Sequence, residues 1–91
     1  MKRVVVTGMA GFSPIGNDWP TIAKNLKAGN TGIRYMKDWE CYEELETRLG
    51  APVSDFEKPS HYTRKQIRSM GRIALMATVA TERALEDAGL L

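Results

Sequence analysis

Between Ile73 and Ala80 only one side chain, Thr78, is polar. At helical spacing such a run is apolar on every face, and a helix of that kind is buried inside a larger structure, not laid on its surface. Its flanks set its extent. Arg72 precedes the run, while Glu82, Arg83, Glu86 and Asp87 restore a polar face before Gly89 stops it. A helix over about 72–88 is expected.

A second feature makes the same demand. Arg3-Val4-Val5-Val6-Thr7 is a continuous β-branched run, which suits a central strand buried on both faces, here expected over about 3–9. Gly8, Gly11, Pro14 and Gly16 then punctuate a loop. Asn17 and Asp18 are good N-caps, Pro20 suits a first turn and Gly29 a stop, so an amphipathic helix over about 19–28 follows. Ala51 to Val53 suggests a short strand at about 51–54, which Pro52 would confine to a sheet edge. Pro59, with Ser60 or Thr63 as cap, opens a helix over about 63–70, and Gly71 separates it from the apolar one.

The fold class is therefore α/β. An all-round apolar helix and a two-sided strand both need covering layers, and the remaining segments are too few to supply them. Residues 1–91 read as one portion of a larger domain, with no complete domain boundary inside the chain. Taken alone, it is expected to expose apolar surface around Ile73–Ala80 and Val4–Val6, and to self-associate.

Composition narrows the function classes. With 43% hydrophobic and 26% charged residues the chain matches soluble globular proteins and not disordered ones. A net charge of +2 is too small to imply nucleic acid. Apolar runs fall well short of the roughly 20 residues of a membrane helix, and Val4–Val6 is too brief for a signal-peptide core. A cytoplasmic protein without membrane or nucleic-acid partners is expected. One cysteine, Cys41, and one histidine, His61, leave no internal disulfide and no zinc set.

Four local features invite a chemical reading. Gly8 and Gly11 after a strand resemble a dinucleotide loop, but Pro14 stands where the third glycine belongs and no helix begins after Gly11. Tight-turn glycines are the better reading. Cys41 lies among Glu40, Glu43 and Glu44, and negative neighbours disfavour a thiolate, so an inert thiol is expected. His61 has no partner carboxylate at a recognisable spacing, and a capping or surface role is preferred. Arg64, Lys65, Arg68 and Arg72 form a basic stripe at helical spacing, and no acid occurs between Lys58 and Glu82. A solvated face is the plain reading. The functional one is a freestanding module, or part of a larger enzyme, that docks an acidic protein through these four residues. Nucleic acid fits less well, since aromatic interleaving is absent apart from Tyr62.

Several segments, in order and across the whole chain, resemble the β-ketoacyl-acyl-carrier-protein synthases. They are Arg3-Val-Val-Val-Thr-Gly8 with Ser13-Pro-Ile-Gly-Asn17, then Ala28-Gly-Asn-Thr-Gly-Ile33, where Thr31 replaces the usual serine. Tyr62-Thr-Arg-Lys65 with Arg68-Ser-Met70 and Ala84-Leu-Glu-Asp-Ala-Gly-Leu90 complete the set. The resemblance implies the N-terminal part of a thiolase-like fold, built from two βαβαβαββ halves, in a cytosolic homodimer. It also implies decarboxylative Claisen condensation of an acyl group with malonyl-carrier protein.

The family's catalytic cysteine, histidines and lysine have no counterpart here, and Cys41 and His61 match none of its motifs. No catalytic, cofactor-binding or metal residue is assigned, and the chain alone is expected to be inactive. What the resemblance does carry over is docking of the acidic acyl carrier protein by Arg64, Lys65 and Arg68, with Arg72 as a possible extra contact. Ser69 stands where a further basic residue is common. Asp38-Trp39, Leu45–Leu49 and Ser69–Arg72 look more like ketosynthases of aryl-polyene or related specialised clusters than like housekeeping elongation enzymes.

Overall fold

A computed structural model describes every residue from Met1 to Leu91. The elements in order are α1 (Trp19–Ala28), β1 (Arg34–Tyr35), a 3-10 helix (Lys37–Cys41), β2 (Leu49–Gly50), α2 (Arg64–Ile67) and α3 (Arg72–Asp87). The chain divides into two compact units. One is Ser13–Asp55, and the other joins Met1–Phe12 to Phe56–Leu91.

The Ser13–Asp55 unit is held largely by local signals. Asp18 caps α1, its carboxylate accepting from the Thr21 backbone N–H at 2.9 Å and from the Thr21 hydroxyl at 3.0 Å. Gly29 ends the helix in the left-handed region at φ 73°, where a side chain would be strained, and its N–H returns to the carbonyls of Asn25 and Leu26. Helix α1 thus has the expected bounds. Asn25 donates from Nδ2 to the Ile15 carbonyl at 2.5 Å, tying α1 to the tight Ser13–Gly16 turn. Strands β1 and β2 pair antiparallel, with Arg34 opposite Gly50 and Tyr35 opposite Leu49. The expected strand at 51–54 does not form. Pairing stops at Gly50, and Pro52 has no N–H to extend the ladder.

In the other unit α3 is the organising element. Gly8 lies so close to its C-terminal turn that a Cβ there would meet the Ala84 carbonyl oxygen and come within 2.6 Å of the Ala88 nitrogen. Glycine at this position answers a close approach to helix backbone, not the turn expected from sequence. The Met9 N–H donates to Asp87 Oδ2 at 2.9 Å, fixing the same segment. Phe12 and Phe56 meet edge to face at 5.0 Å.

The expected strand at 3–9 is absent as a paired element: none of the 91 residues supplies a ladder for it. Val4, Val5 and Val6 are 94%, 66% and 79% exposed. A β-branched run becomes a strand only when neighbouring backbone satisfies its N–H and C=O groups. Helix α3 tells the same story, with Val79 the only fully buried side chain and Ile73 82% exposed. Accessible surface totals 7789 Å², against about 5,300 Å² for a compact monomer of this mass. The apolar faces anticipated from sequence are therefore open to solvent in this chain.

Candidate functional site

The four cations singled out in the sequence fall into two environments. Thr63 caps α2 and forms a capping box with Gln66: the Gln66 N–H donates to Thr63 Oγ1 at 3.2 Å, and the Thr63 N–H to Gln66 Oε1 at 2.9 Å. This box starts the helix where the sequence places its cap and puts Arg64 and Lys65 in the first turn, both exposed. Arg68 follows as the C-cap, also exposed. No carboxylate forms an ion pair with any of these three side chains; Glu82, the first acid downstream, pairs with His61 instead. Because α2 is a single turn, Arg64 and Lys65 belong to its first and last turn alike and the helix dipole gives them no net preference, while Arg68 at the C-cap is favourably placed.

Arg72 differs. Helix α2 ends at Ile67 instead of continuing to 70, and α3 begins afresh at Arg72 after Ser69, Met70 and Gly71. The spacing that put Arg72 on one continuous stripe is therefore interrupted. Its guanidinium sits 5.7 Å from the centroid of Phe56, and that of Arg83 sits 4.8 Å from Phe12. With the edge-to-face Phe12–Phe56 contact this makes a row of two rings with a cation of α3 at each end, Arg72–Phe56–Phe12–Arg83. The exposed, ion-unpaired patch is Arg64, Lys65 and Arg68.

Just before this patch lies a cluster that sequence spacing did not disclose. His61 Nε2 lies 2.8 Å from Glu82 Oε1 and 3.0 Å from Oε2, while the Tyr62 hydroxyl donates to Oε2. The two rings lie 4.5 Å apart. Holding its proton against the Glu82 carboxylate pushes the Tyr62 hydroxyl up to about 12. The hydrogen bond from Tyr62, with that from His61 behind it, lowers Glu82 below the ordinary carboxylate range. The partner is 21 residues from His61, too far for any local motif. One signal was available: Glu82 is the first acid downstream of the basic stretch.

The remaining candidates show no catalytic arrangement. Cys41 is exposed at the end of the 3-10 helix, its thiol 3.3 Å from the Asp38 carbonyl, and it lies in the other unit from His61. No group of three or more His, Cys, Asp or Glu side chains gathers into a metal-binding set. No helix is long and apolar enough to cross a membrane.

Comparison with known proteins adds independent information. The family described as Beta-ketoacyl synthase, N-terminal domain, matches residues 1–91. The 3-oxoacyl-[acyl-carrier-protein] synthase 2 of Staphylococcus aureus (strain COL) is 37% identical over 89 residues, covering 98% of this chain and 21% of the relative. The chloroplastic 3-oxoacyl-[acyl-carrier-protein] synthase II of Arabidopsis thaliana is 33% identical over 98% of the chain and 16% of its own length. The chain thus spans about a fifth or less of these relatives. Among solved structures, a β-ketoacyl synthase from Burkholderia phymatum STM815 superposes with a TM-score of 0.92 at 48% identity, covering 100% of this chain and 22% of that one. Matched along its whole length in sequence and in backbone, the chain belongs to the β-ketoacyl synthase family.

Proposed function

We propose that this chain forms part of a 3-oxoacyl-[acyl-carrier-protein] synthase, to which it contributes scaffold and part of the face that docks the acyl carrier protein. The reaction is a decarboxylative Claisen condensation. A malonyl thioester on the carrier loses carbon dioxide, and its carbanion attacks the enzyme-bound acyl thioester. A carbon–carbon bond forms, the enzyme thiolate leaves, and a 3-oxoacyl thioester remains on the carrier. No residue from 1 to 91 is assigned a step in that chemistry, and the chain alone is expected to be inactive. The whole enzyme is expected to work in the cytoplasm as a homo-oligomer, in the synthesis of fatty acids or related chains.

The observation that carries the docking role is the patch of Arg64, Lys65 and Arg68, three exposed cations within five residues and without an ion-pair partner. Exposed cations of this kind steer an acidic partner and set its orientation more than they add affinity, and salt screens them. Arg72, engaged over Phe56, is given a structural role instead. The test is a titration of the protein, expressed from its full reading frame, with a holo acyl carrier protein at low and high salt. Binding is expected to weaken with salt and to be lost when Arg64→Glu is combined with Lys65→Glu. Unchanged binding by a folded double variant would leave the patch as a solvated surface.

A further inference from the structure

Helix α2 is a single turn of four residues, in which only Ile67 is even half-buried. Isolated helices shorter than about 12–15 residues are marginal in water, so its direction must come from what holds its ends. At the C-terminal end the chain turns back through the Met70 N–H, which donates to the Ile67 carbonyl at 2.8 Å. At the N-terminal end the hold comes from α3. Tyr62 is the residue next to the Thr63 cap, and with His61 it grips both oxygens of the Glu82 carboxylate.

We propose that Glu82 is a positioning residue for the basic patch: through His61 and Tyr62 it fixes the direction in which Arg64, Lys65 and Arg68 are presented to a partner. This rests on the docking reading given above. A carboxylate taking two donors on adjacent residues constrains both translation and rotation of the segment, which a single hydrogen bond would not. The charged groups facing the cluster agree with that use. His61 and Arg83, the latter beside Glu82 on α3, favour the charged carboxylate, while Glu86 is a second anion that acts on Tyr62; no cation of the patch takes part. Glu82 is thereby engaged by His61 and Tyr62 and leaves the three cations without an ion-pair partner.

Amide hydrogen exchange and carrier affinity, measured on the protein from its full reading frame, test this together. In Glu82→Ala, exchange across residues 62–67 is expected to accelerate about tenfold, while the amides around Val79 keep their protection. Affinity for the holo acyl carrier protein is expected to fall about threefold to tenfold, and by less when Glu82→Ala is added to Arg64→Ala, which weakens binding without abolishing it. Glu82→Gln keeps an acceptor for the Tyr62 hydroxyl and should restore part of both losses; Tyr62→Phe should reproduce part of them. These two milder variants carry the test if Glu82→Ala fails to fold. Unaltered exchange across 62–67 would overturn the anchoring. Faster exchange with full carrier affinity would overturn the positioning role. Charge reversal at Arg64 and Lys65 without effect on binding would overturn the docking reading, and the exchange result would still report whether Glu82 holds α2.

Discussion

Arg64 and Arg83 carry the same guanidinium in opposite circumstances. Arg83 rests over the ring of Phe12, within a row that continues through Phe56 to Arg72. Arg64 projects from a one-turn helix with no ionic partner, as Lys65 and Arg68 do. A basic residue seated on an aromatic face stabilises its own fold, while one left in water beside others of its sign is available to something else. Sequence alone groups Arg72 with Arg64, Lys65 and Arg68, because charge is visible in a sequence and ring contacts across a fold are not.

The largest effect expected from breaking this arrangement lies on the α3 side. Gly8→Ala would press a methyl group onto backbone atoms of Ala84 and Ala88, which cannot swing aside as a side chain can. A loss of about 2 kcal/mol or more is expected, read by denaturant titration of the full protein. If the variant has wild-type stability, the N-terminal segment is not seated on α3 in this way.

The next contrast sets the two classes of cation against each other. Charge reversal at Arg64 and Lys65 should abolish carrier binding at low salt with little change in stability, as set out above. Arg83→Leu should do the reverse, costing roughly 0.5–1 kcal/mol of stability and leaving carrier affinity within twofold. A strong binding defect from Arg83→Leu would erase the distinction.

Thr63→Ala removes the hydroxyl that accepts from Gln66 and should weaken α2 by about 1 kcal/mol. The change is expected locally, as faster amide exchange in residues 64–68, and much less in α3. A variant that leaves α2 as protected as before would show that the capping box is redundant there.

The smallest effects follow from pH. Glu82 is lowered in the folded protein by its bonds to Tyr62 and His61, so its contribution is present above the ordinary carboxylate range and lost as pH falls through the folded value. Tyr62 is raised, so its contribution is complete below its ordinary value of 10.0 and lost as pH rises through about 12. Tyr62→Phe should abolish the alkaline limb and reduce the acid one, which stability measured across pH would reveal.

What could be read in the sequence follows a physical division. Helix α1 came out with its bounds because Asp18, Pro20 and Gly29 act within one or two turns of where they sit. The separation of α2 from α3 at Gly71 was likewise local, although α2 is shorter than its spacing implied. The strand expected at 3–9 depended on neighbours that no local pattern specifies, and the β1–β2 pair was missed because two-residue strands leave almost no periodicity. At the candidate site, charge and spacing marked out Arg64, Lys65 and Arg68, which the structure shows exposed on and just after α2. The contact of Arg72 with the Phe56 ring was not legible, because that ring lies outside the helix that carries Arg72. Glu82 escaped notice for the same reason.

The joint between α2 and α3 has a consequence of its own. Gly71 has φ −76°, ordinary for any residue, and open space where a Cβ would stand. Nothing there requires glycine, and neither helix draws its cap from the other: α2 starts on the Thr63 box, and α3 starts after Gly71. The short helix can therefore be recharged, residue by residue, while the long one keeps its sequence and its packing. On the docking role proposed above, such substitutions would change partner preference while leaving the architecture as it is.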